Sequence, residues 1–163
     1  MNKEEILKEI KKTEEHLANM KKMLKEHNER WKPNSGDAYY YIDAFGNVLS
    51  QIETGHYSDS AFWKSYNCFP TREQAEAEAE KILVRRMLED IAIRLNKGQK
   101  IDWNNGKQFK YYICIDSCDN EIIWGREIQY ISQGVVYCLD MNFYNVAIQE
   151  IGEEQLKKYL RVE

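Results

Sequence analysis

The 163-residue chain is long enough for one domain with an appendage and too short for two ordinary domains. Hydrophobic residues make up 43% and aromatic residues 12% of the sequence, which excludes disorder over most of its length. A formal net charge of −4 with no basic stripe argues against a general nucleic-acid-binding protein. No apolar run approaches the roughly 18 residues of a membrane helix.

Residues 1–31, called the leader below, carry apolar side chains at the alternating spacing of three and four that is typical of a coiled coil. This spacing predicts a helix over residues 3–30 whose other faces are almost all Lys and Glu. The predicted interface consists of Ile6, Ile10, Thr13, Leu17, Met20, Leu24, His27 and Trp31. An isolated helix of this length is marginal in water and needs a partner. Homodimerisation is the first interpretation, and packing on the chain's own body or docking on a target are the alternatives.

Pro33 marks the end of the leader, because a proline disfavours a helical conformation at the residue before it. The chain therefore divides into a coiled-coil helix, residues 1–31, and an α+β domain, residues 32–163. The charged N-terminus lacks the apolar segment of a signal peptide. We expect a cytoplasmic protein, with Cys68, Cys114, Cys118 and Cys138 as free thiols.

The first part of the α+β domain has the alternating pattern of β-strands. Ala38–Asp43 and Val48–Glu53 flank the turn signal Phe-Gly-Asn, which predicts a hairpin. Thr54–Ser60 is polar and is predicted as a loop. Ala61–Tyr66 is predicted as a third strand.

A long helix is predicted from Arg72 to about Asn96. Thr71 and Gln74 form a capping-box signature at its start, and Gly98 is a plausible C-terminal stop. The predicted apolar face of this helix is Ala75, Ala79, Ile82, Leu83, Met87, Ile91 and Leu95.

The pattern then repeats in the second part of the domain. Strands are predicted at Phe109–Asp116, Glu121–Gly125 and Val135–Leu139, and short helices at Asn142–Ile151 and Glu153–Leu160. The matching order of elements indicates an internal duplication.

The duplicated units are residues 32–98 and 104–163, and an offset of 72 residues aligns Tyr39 and Tyr40 with Tyr111 and Tyr112. The predicted fold class is α+β: an N-terminal coiled-coil helix followed by two βββα-like units with antiparallel sheet that share one core.

The sequence contains no motif for a catalytic, cofactor or metal site. Cys114 and Cys118 are separated by three residues and have no nearby histidine, whereas structural zinc needs about four Cys or His ligands at set spacing. His56 is the only histidine outside the leader, and nothing in the sequence orients it as a base for a thiolate. No Gly-rich phosphate loop occurs. We therefore expect a protein that is not an enzyme.

The tyrosine runs at residues 39–41 and 111–112 offer a second reading. Exposed aromatic rings interleaved with basic side chains can stack nucleic-acid bases. The first run, however, lies between Asp37 and Asp43, so alternate tyrosines packing into the core are the simpler expectation.

Three segments resemble a widespread group of small phage and prophage accessory proteins of Gram-positive bacteria: WKPNSGDAYYYIDAFGNV at residues 31–48, YNCFPTREQAE at residues 66–76 and AIQEIGEEQLKKY at residues 147–159. The resemblance assigns no functional residue. It implies action inside a bacterial host cell, often by binding host machinery such as CRISPR nucleases and other defence proteins.

The sequence therefore predicts a non-enzymatic protein-binding protein that dimerises through the leader, and the resemblance implies that it inhibits a bacterial defence effector such as a CRISPR nuclease. One alternative is a nucleic-acid-binding accessory protein that uses the tyrosine-rich sheet. The other is a structural or assembly protein. No cofactor, metal or membrane partner is expected.

Overall fold

The computed structural model describes residues 9–17, 19–21 and 30–160. Residues 9–17 and 19–21 are helical, which agrees with the prediction for this part of the leader. The remainder of the predicted leader helix lies outside the described residues, and so do three of the predicted interface residues, Ile6, Leu24 and His27. Residues 30–34 are not helical, and Pro33 is buried there.

The rest of the chain mixes helices with two small antiparallel sheets, and this arrangement confirms the α+β class. The strands are β1 (Ala38–Ile42), β2 (Val48–Ile52), β3 (Lys110–Ile115) and β4 (Ile122–Glu127). The helices are α1 (Tyr57–Lys64), α2 (Arg72–Asn96), α3 (Phe143–Ile151) and α4 (Glu153–Leu160). β1 pairs with β2 and β3 pairs with β4, so both predicted hairpins form.

The ends of α2 follow the sequence signals. Thr71 caps the helix, its side chain accepting a hydrogen bond from the Gln74 amide at 3.3 Å. At the other end the backbone turns left-handed at Lys97 (φ 50°), one residue before the predicted stop at Gly98 (φ 79°).

The predicted third strand at Ala61–Tyr66 is wrong, because most of this segment belongs to α1. His56 caps the helix, its side chain accepting from the Ser58 amide, and Asp59 binds back to the His56 amide, which completes a capping box. Histidine is an uncommon cap residue, so the signature was not recognised in the sequence.

Asp59 is the buried centre of the first hairpin's packing. Its carboxylate accepts hydrogen bonds from the Tyr39 hydroxyl (2.8 Å), the Gln51 side chain (2.6 Å) and the His56 amide (3.0 Å). It also accepts from the amide and the hydroxyl of Thr54. These bonds, that of the Thr54 amide first, lower the pKa of Asp59 from 3.8 to about 2. One buried carboxylate thus joins β1, β2 and the start of α1.

The predicted strand at Val135–Leu139 is also wrong: the segment forms a single bridge, in which Cys138 and Tyr111 exchange backbone hydrogen bonds. The first unit has the same feature, because Phe69 and Tyr40 exchange backbone bonds of 2.9 Å.

The Asn67 side chain prevents a third strand from extending the single bridge beside β1. The Asn67 amide group accepts from the Ile42 amide at 2.8 Å and donates to the Ile42 carbonyl at 2.7 Å, so it occupies the groups that a third strand would use. Each predicted βββα unit is therefore a hairpin, one bridged residue and a helix.

These bridges repeat with an offset of 71 residues at the tyrosines, Tyr40 and Tyr111, one less than the offset predicted from the sequence. The first unit contains α1 between its hairpin and its bridge, whereas residues 128–137 contain no helix or strand. The duplication of residues 32–98 and 104–163 stays a prediction.

The main hydrophobic core lies between the C-terminal half of α2 and the second unit. Its buried members are Val84, Leu88, Ile91, Ala92, Ile113, Ile122, Cys138, Phe143, Ala147, Ile151 and Leu156. The first hairpin contacts α2 as well, but the buried residues on this side of the molecule, Tyr39 of β1, Cys68 and Ala75 of α2, are not part of that cluster. The prediction of one core shared by both units is therefore not confirmed.

The face that α2 buries differs from the predicted face. Val84, Leu88 and Ala92 are buried, although the prediction did not include them, and the predicted core residue Leu83 is 55% exposed. The apolar side chains of α2 therefore form two stripes. One packs into the core, and the other consists of the half-buried Ala79 and Ile82 with the exposed Leu83.

Replacing the Asp59 carboxylate tests its role in the fold. The folded-state pKa lies below the unfolded one, so the ionised carboxylate stabilises the fold above about pH 4, and this contribution is lost as the pH falls from about 4 to about 2. We expect Asp59→Asn to unfold at lower urea concentration than the wild type at pH 7, and the difference to shrink below pH 4. Asp119→Asn, in the exposed β3–β4 loop, is the control. Equal midpoints for Asp59→Asn and wild type at pH 7 would contradict this account.

Candidate protein-binding surface

A groove of about 700 Å³ lies between α2 and the far end of the first hairpin. Its floor on α2 is a stripe formed by Ala79, Ile82, Leu83 and Arg86, of which Leu83 and Arg86 are exposed and the other two are half-buried. These residues follow the spacing i, i+3, i+4, i+7, so they project from one side of the helix. An apolar helix stripe that stays outside the core is a feature of a surface that binds another chain.

The opposite wall of the groove consists of Ile42, Phe45, Tyr66 and Phe69. Phe45 stands at the tip of the β1–β2 turn and is 90% exposed. The Asp43 side chain accepts hydrogen bonds from the amides of Phe45 and Asn47, which shapes this turn and fixes the position of Phe45. Large aromatic side chains held on a defined backbone are typical anchors of protein interfaces.

Tyr66 occupies a backbone conformation that glycine adopts more easily. Its φ is 62°, and its amide donates to the Trp63 carbonyl while the Asn67 amide donates to the Phe62 carbonyl. This is a Schellman motif at the end of α1, and its left-handed position usually holds glycine. A bulky residue there costs roughly 1–2 kcal/mol. The strain keeps a tyrosine ring, 75% exposed, at the rim of the groove.

The Tyr66 ring also contacts the end of the leader. The Arg30 guanidinium lies 4.1 Å from the centroid of the Tyr66 ring and 5.0 Å from that of Trp63. Trp63 in turn donates from its indole nitrogen to the Trp31 carbonyl at 3.1 Å. Cation–π contacts of this kind contribute roughly 0.5–2 kcal/mol each. Together they fasten the leader's C-terminal end to α1, beside the groove.

Acidic groups outnumber basic ones along the groove. Asp43, Glu78 and Glu80 line it together with a single cation, Arg86. Glu80 also pairs with Lys158 at 2.9 Å, and hydrogen bonding from the Asn47 side chain lowers the pKa of Asp43. The groove therefore combines apolar walls with a negative rim, which favours an apolar occupant with positive flanks.

Those predicted interface residues of the leader that the structure describes remain partly open to solvent. Ile10 is 48%, Leu17 50% and Met20 55% exposed, and Thr13 bonds back to the Glu9 carbonyl within the helix. Trp31 is 38% exposed, and its carbonyl accepts the hydrogen bond from the Trp63 indole of α1.

Sequence reasoning missed the residues of the groove. The sequence places Phe45 in a hairpin turn and predicts a strand for Tyr66. It predicts Leu83 on the apolar face of the long helix. One signal in the sequence points to Phe45. It lies in the turn between Asp43 and Gly46, and the turn itself does not require an aromatic side chain at that position.

The tyrosine runs serve mostly in packing. Tyr39 is fully buried, and Tyr41 stacks on Phe62 with centroids 4.3 Å apart. Tyr112 makes an edge contact with Tyr137 and covers Gly125, where an added Cβ would lie 2.3 Å from the tyrosine ring. Rings engaged in this way do not offer free faces for base stacking.

The cysteines and His56 do not converge on a reactive site. His56 contacts Ser58 in the α1 cap, and burial raises the pKa of the Cys68, Cys114 and Cys138 thiols. In residues 9–17, 19–21 and 30–160, no three His, Cys, Asp or Glu residues are grouped so that they could hold a metal ion. Within the same ranges, no helix is long and apolar enough to cross a membrane.

Comparison of the chain with known protein families, with characterised proteins and with solved structures finds no match.

The strain at Tyr66 can be measured by comparing two substitutions that both remove the ring. We expect Tyr66→Gly to be more stable than Tyr66→Ala by about 1 kcal/mol, because glycine adopts the left-handed conformation without a Cβ penalty. At Ala61, an exposed position within α1, glycine should instead destabilise by about 1 kcal/mol relative to alanine. Urea unfolding of these variants gives the free energies. Equal stability of Tyr66→Gly and Tyr66→Ala would show that the turn is not strained.

Proposed function

We propose that this chain is a non-enzymatic protein-binding protein that self-associates through its leader. The observation that carries the proposal is that one chain has two exposed apolar surfaces, the leader stripe and the groove. Isolated exposed apolar residues are common on proteins, but a helix stripe and an aromatic-walled groove are organised surfaces.

The free energy gained by burying apolar side chains determines how much surface a stable dimer must cover. Full burial of a Leu or Met side chain stabilises by roughly 1.5–3 kcal/mol, so covering the exposed halves of Ile10, Leu17 and Met20 in two copies contributes roughly 5–9 kcal/mol. Association itself costs about 4–15 kcal/mol. Burial of these three leader residues alone therefore only about offsets the cost of association. Further apolar contacts are needed for a stable complex.

The biological role that accompanies this proposal is inhibition of a bacterial defence effector, such as a CRISPR nuclease. Its support is the resemblance of residues 31–48, 66–76 and 147–159 to small phage and prophage accessory proteins. An inhibitor of this kind acts by occupying a surface of its target, which requires binding surfaces rather than catalytic residues.

Self-association is tested with the full-length chain by light scattering coupled to size exclusion. We expect a dimer, and we expect Leu17→Gln to raise its dissociation constant at least tenfold, because it removes an apolar side chain from the stripe while keeping a residue that favours helix. Glu15→Gln changes the charged part of the same helix and should leave the dimer intact. A monomeric wild type at all concentrations up to about 1 mM would refute self-association.

The target is tested by affinity capture from bacterial lysate with full-length protein and identification by mass spectrometry. We expect one defence nuclease to be enriched and its purified activity to fall when the protein is added. Capture of nucleic acid, with affinity that decreases steeply with salt, would replace this role by the nucleic-acid alternative. Enrichment of virion components would replace it by an assembly role.

A further inference from the structure

We propose that the groove between α2 and the first hairpin receives the leader of a second copy of this chain. The inference rests on the proposed self-association and specifies which surface the leader meets. It differs from the arrangement expected from the sequence, in which two leaders pair with each other.

The first argument is that the two surfaces are complementary in shape. The leader residues Ile10, Leu17 and Met20 form a narrow stripe, about one apolar side chain per turn, with polar residues on both sides. The groove presents a single helix stripe, centred on Ile82 and Leu83, facing the wall that carries Phe45 and Tyr66. A narrow amphipathic helix laid in such a groove is a recurrent mode of peptide recognition.

The second argument is charge. Between His16 and Lys25 the sequence contains three lysines and no Asp or Glu. The groove is lined by the carboxylates of Asp43 and Glu78, by Glu80, which is paired with Lys158, and by one guanidinium. The part of the leader that carries Leu17 and Met20 is thus positive where the groove is negative, which favours this occupant over an acidic helix.

The third argument is that, among the described residues, neither surface is covered within one chain. The leader residues stay about half exposed while Phe45, Tyr66 and Leu83 of the same chain are 90%, 75% and 55% exposed. Pairing of two leaders would cover the stripes and leave both grooves open. Reciprocal insertion of each leader into the other copy's groove covers both surfaces with one two-fold symmetric interface.

The contacts of Arg30 and Trp31 with α1 give this exchange its starting point. They hold the leader's end beside Tyr66, so each leader leaves its own body next to the groove that the other copy would occupy. The points at which the two leaders pass from one copy to the other then lie near each other at the symmetry axis. The same arrangement occurs when two copies exchange a terminal helix.

The test compares two substitutions on α2 in the full-length chain. Leu83→Glu places a charge in the groove, whereas Ile93→Glu places the same charge at a 70% exposed position of the same helix outside it. We expect Leu83→Glu to raise the dimer dissociation constant at least tenfold and Ile93→Glu to change it less than twofold. Circular dichroism of both variants checks that they are folded.

A photo-crosslinking amino acid at position 45 then identifies the occupant. Equal amounts of isotopically light and heavy full-length chains are mixed and irradiated, and crosslinked peptides are sequenced. We expect crosslinks between position 45 and leader residues, about half of them joining light to heavy chains. Crosslinks within single chains only would overturn the inference and indicate a leader that folds onto its own groove.

The outcomes separate this inference from the proposal on which it rests. A dimer that resists Leu83→Glu but is lost in Leu17→Gln means that leaders pair with each other, so self-association stands and the groove has no part in it. A monomer at every concentration overturns both.

Discussion

The packing of the first hairpin, and of the two helices that cover the second hairpin, on one 25-residue helix is the constraint on which the rest of the structure depends. A two-stranded hairpin is marginal by itself in water, and each hairpin here gains only one bridged residue beyond its two strands. α2 contacts β1 and β2 of the first hairpin, and it contacts α3 and α4, which cover the second. The helix must therefore present apolar side chains in more than one direction. This requirement explains why its apolar residues do not fall on a single face.

The two directions have different consequences. Toward the second unit, Val84, Leu88 and Ile91 enter a closed core with α3 and α4. Toward the first unit, the hairpin is held by the Asp59 hydrogen bonds and by α1, and it leaves Leu83 exposed and its neighbour Ile82 only half-buried. The first unit thus contains a buried polar cluster and aromatic contacts, and part of the apolar surface of α2 beside it stays exposed.

The sequence predicted most helices and strands, but it did not predict how they pack against one another. Hairpin turns, the Thr71 cap and helix periodicity are local signals, so both hairpins and the helices α2 to α4 were predicted correctly. The prediction of a strand at Ala61–Tyr66 was wrong because the aromatic composition of the segment favours β-structure, whereas the capping box of His56 and Asp59 starts a helix there. The leader stripe was readable from spacing alone. The groove was not, because it exists only once α2 and the first hairpin are packed together.

Hydrogen exchange measured at low and high protein concentration tests most directly whether the stripe around Leu83 binds a second copy. The account predicts that protection of amides in residues 78–86 and 9–21 rises together with concentration, while protection of amides in residues 88–96, which do not line the groove, stays constant. Protection that rises only in the leader would mean that the groove takes no part in association. Exchange independent of concentration everywhere would contradict self-association itself.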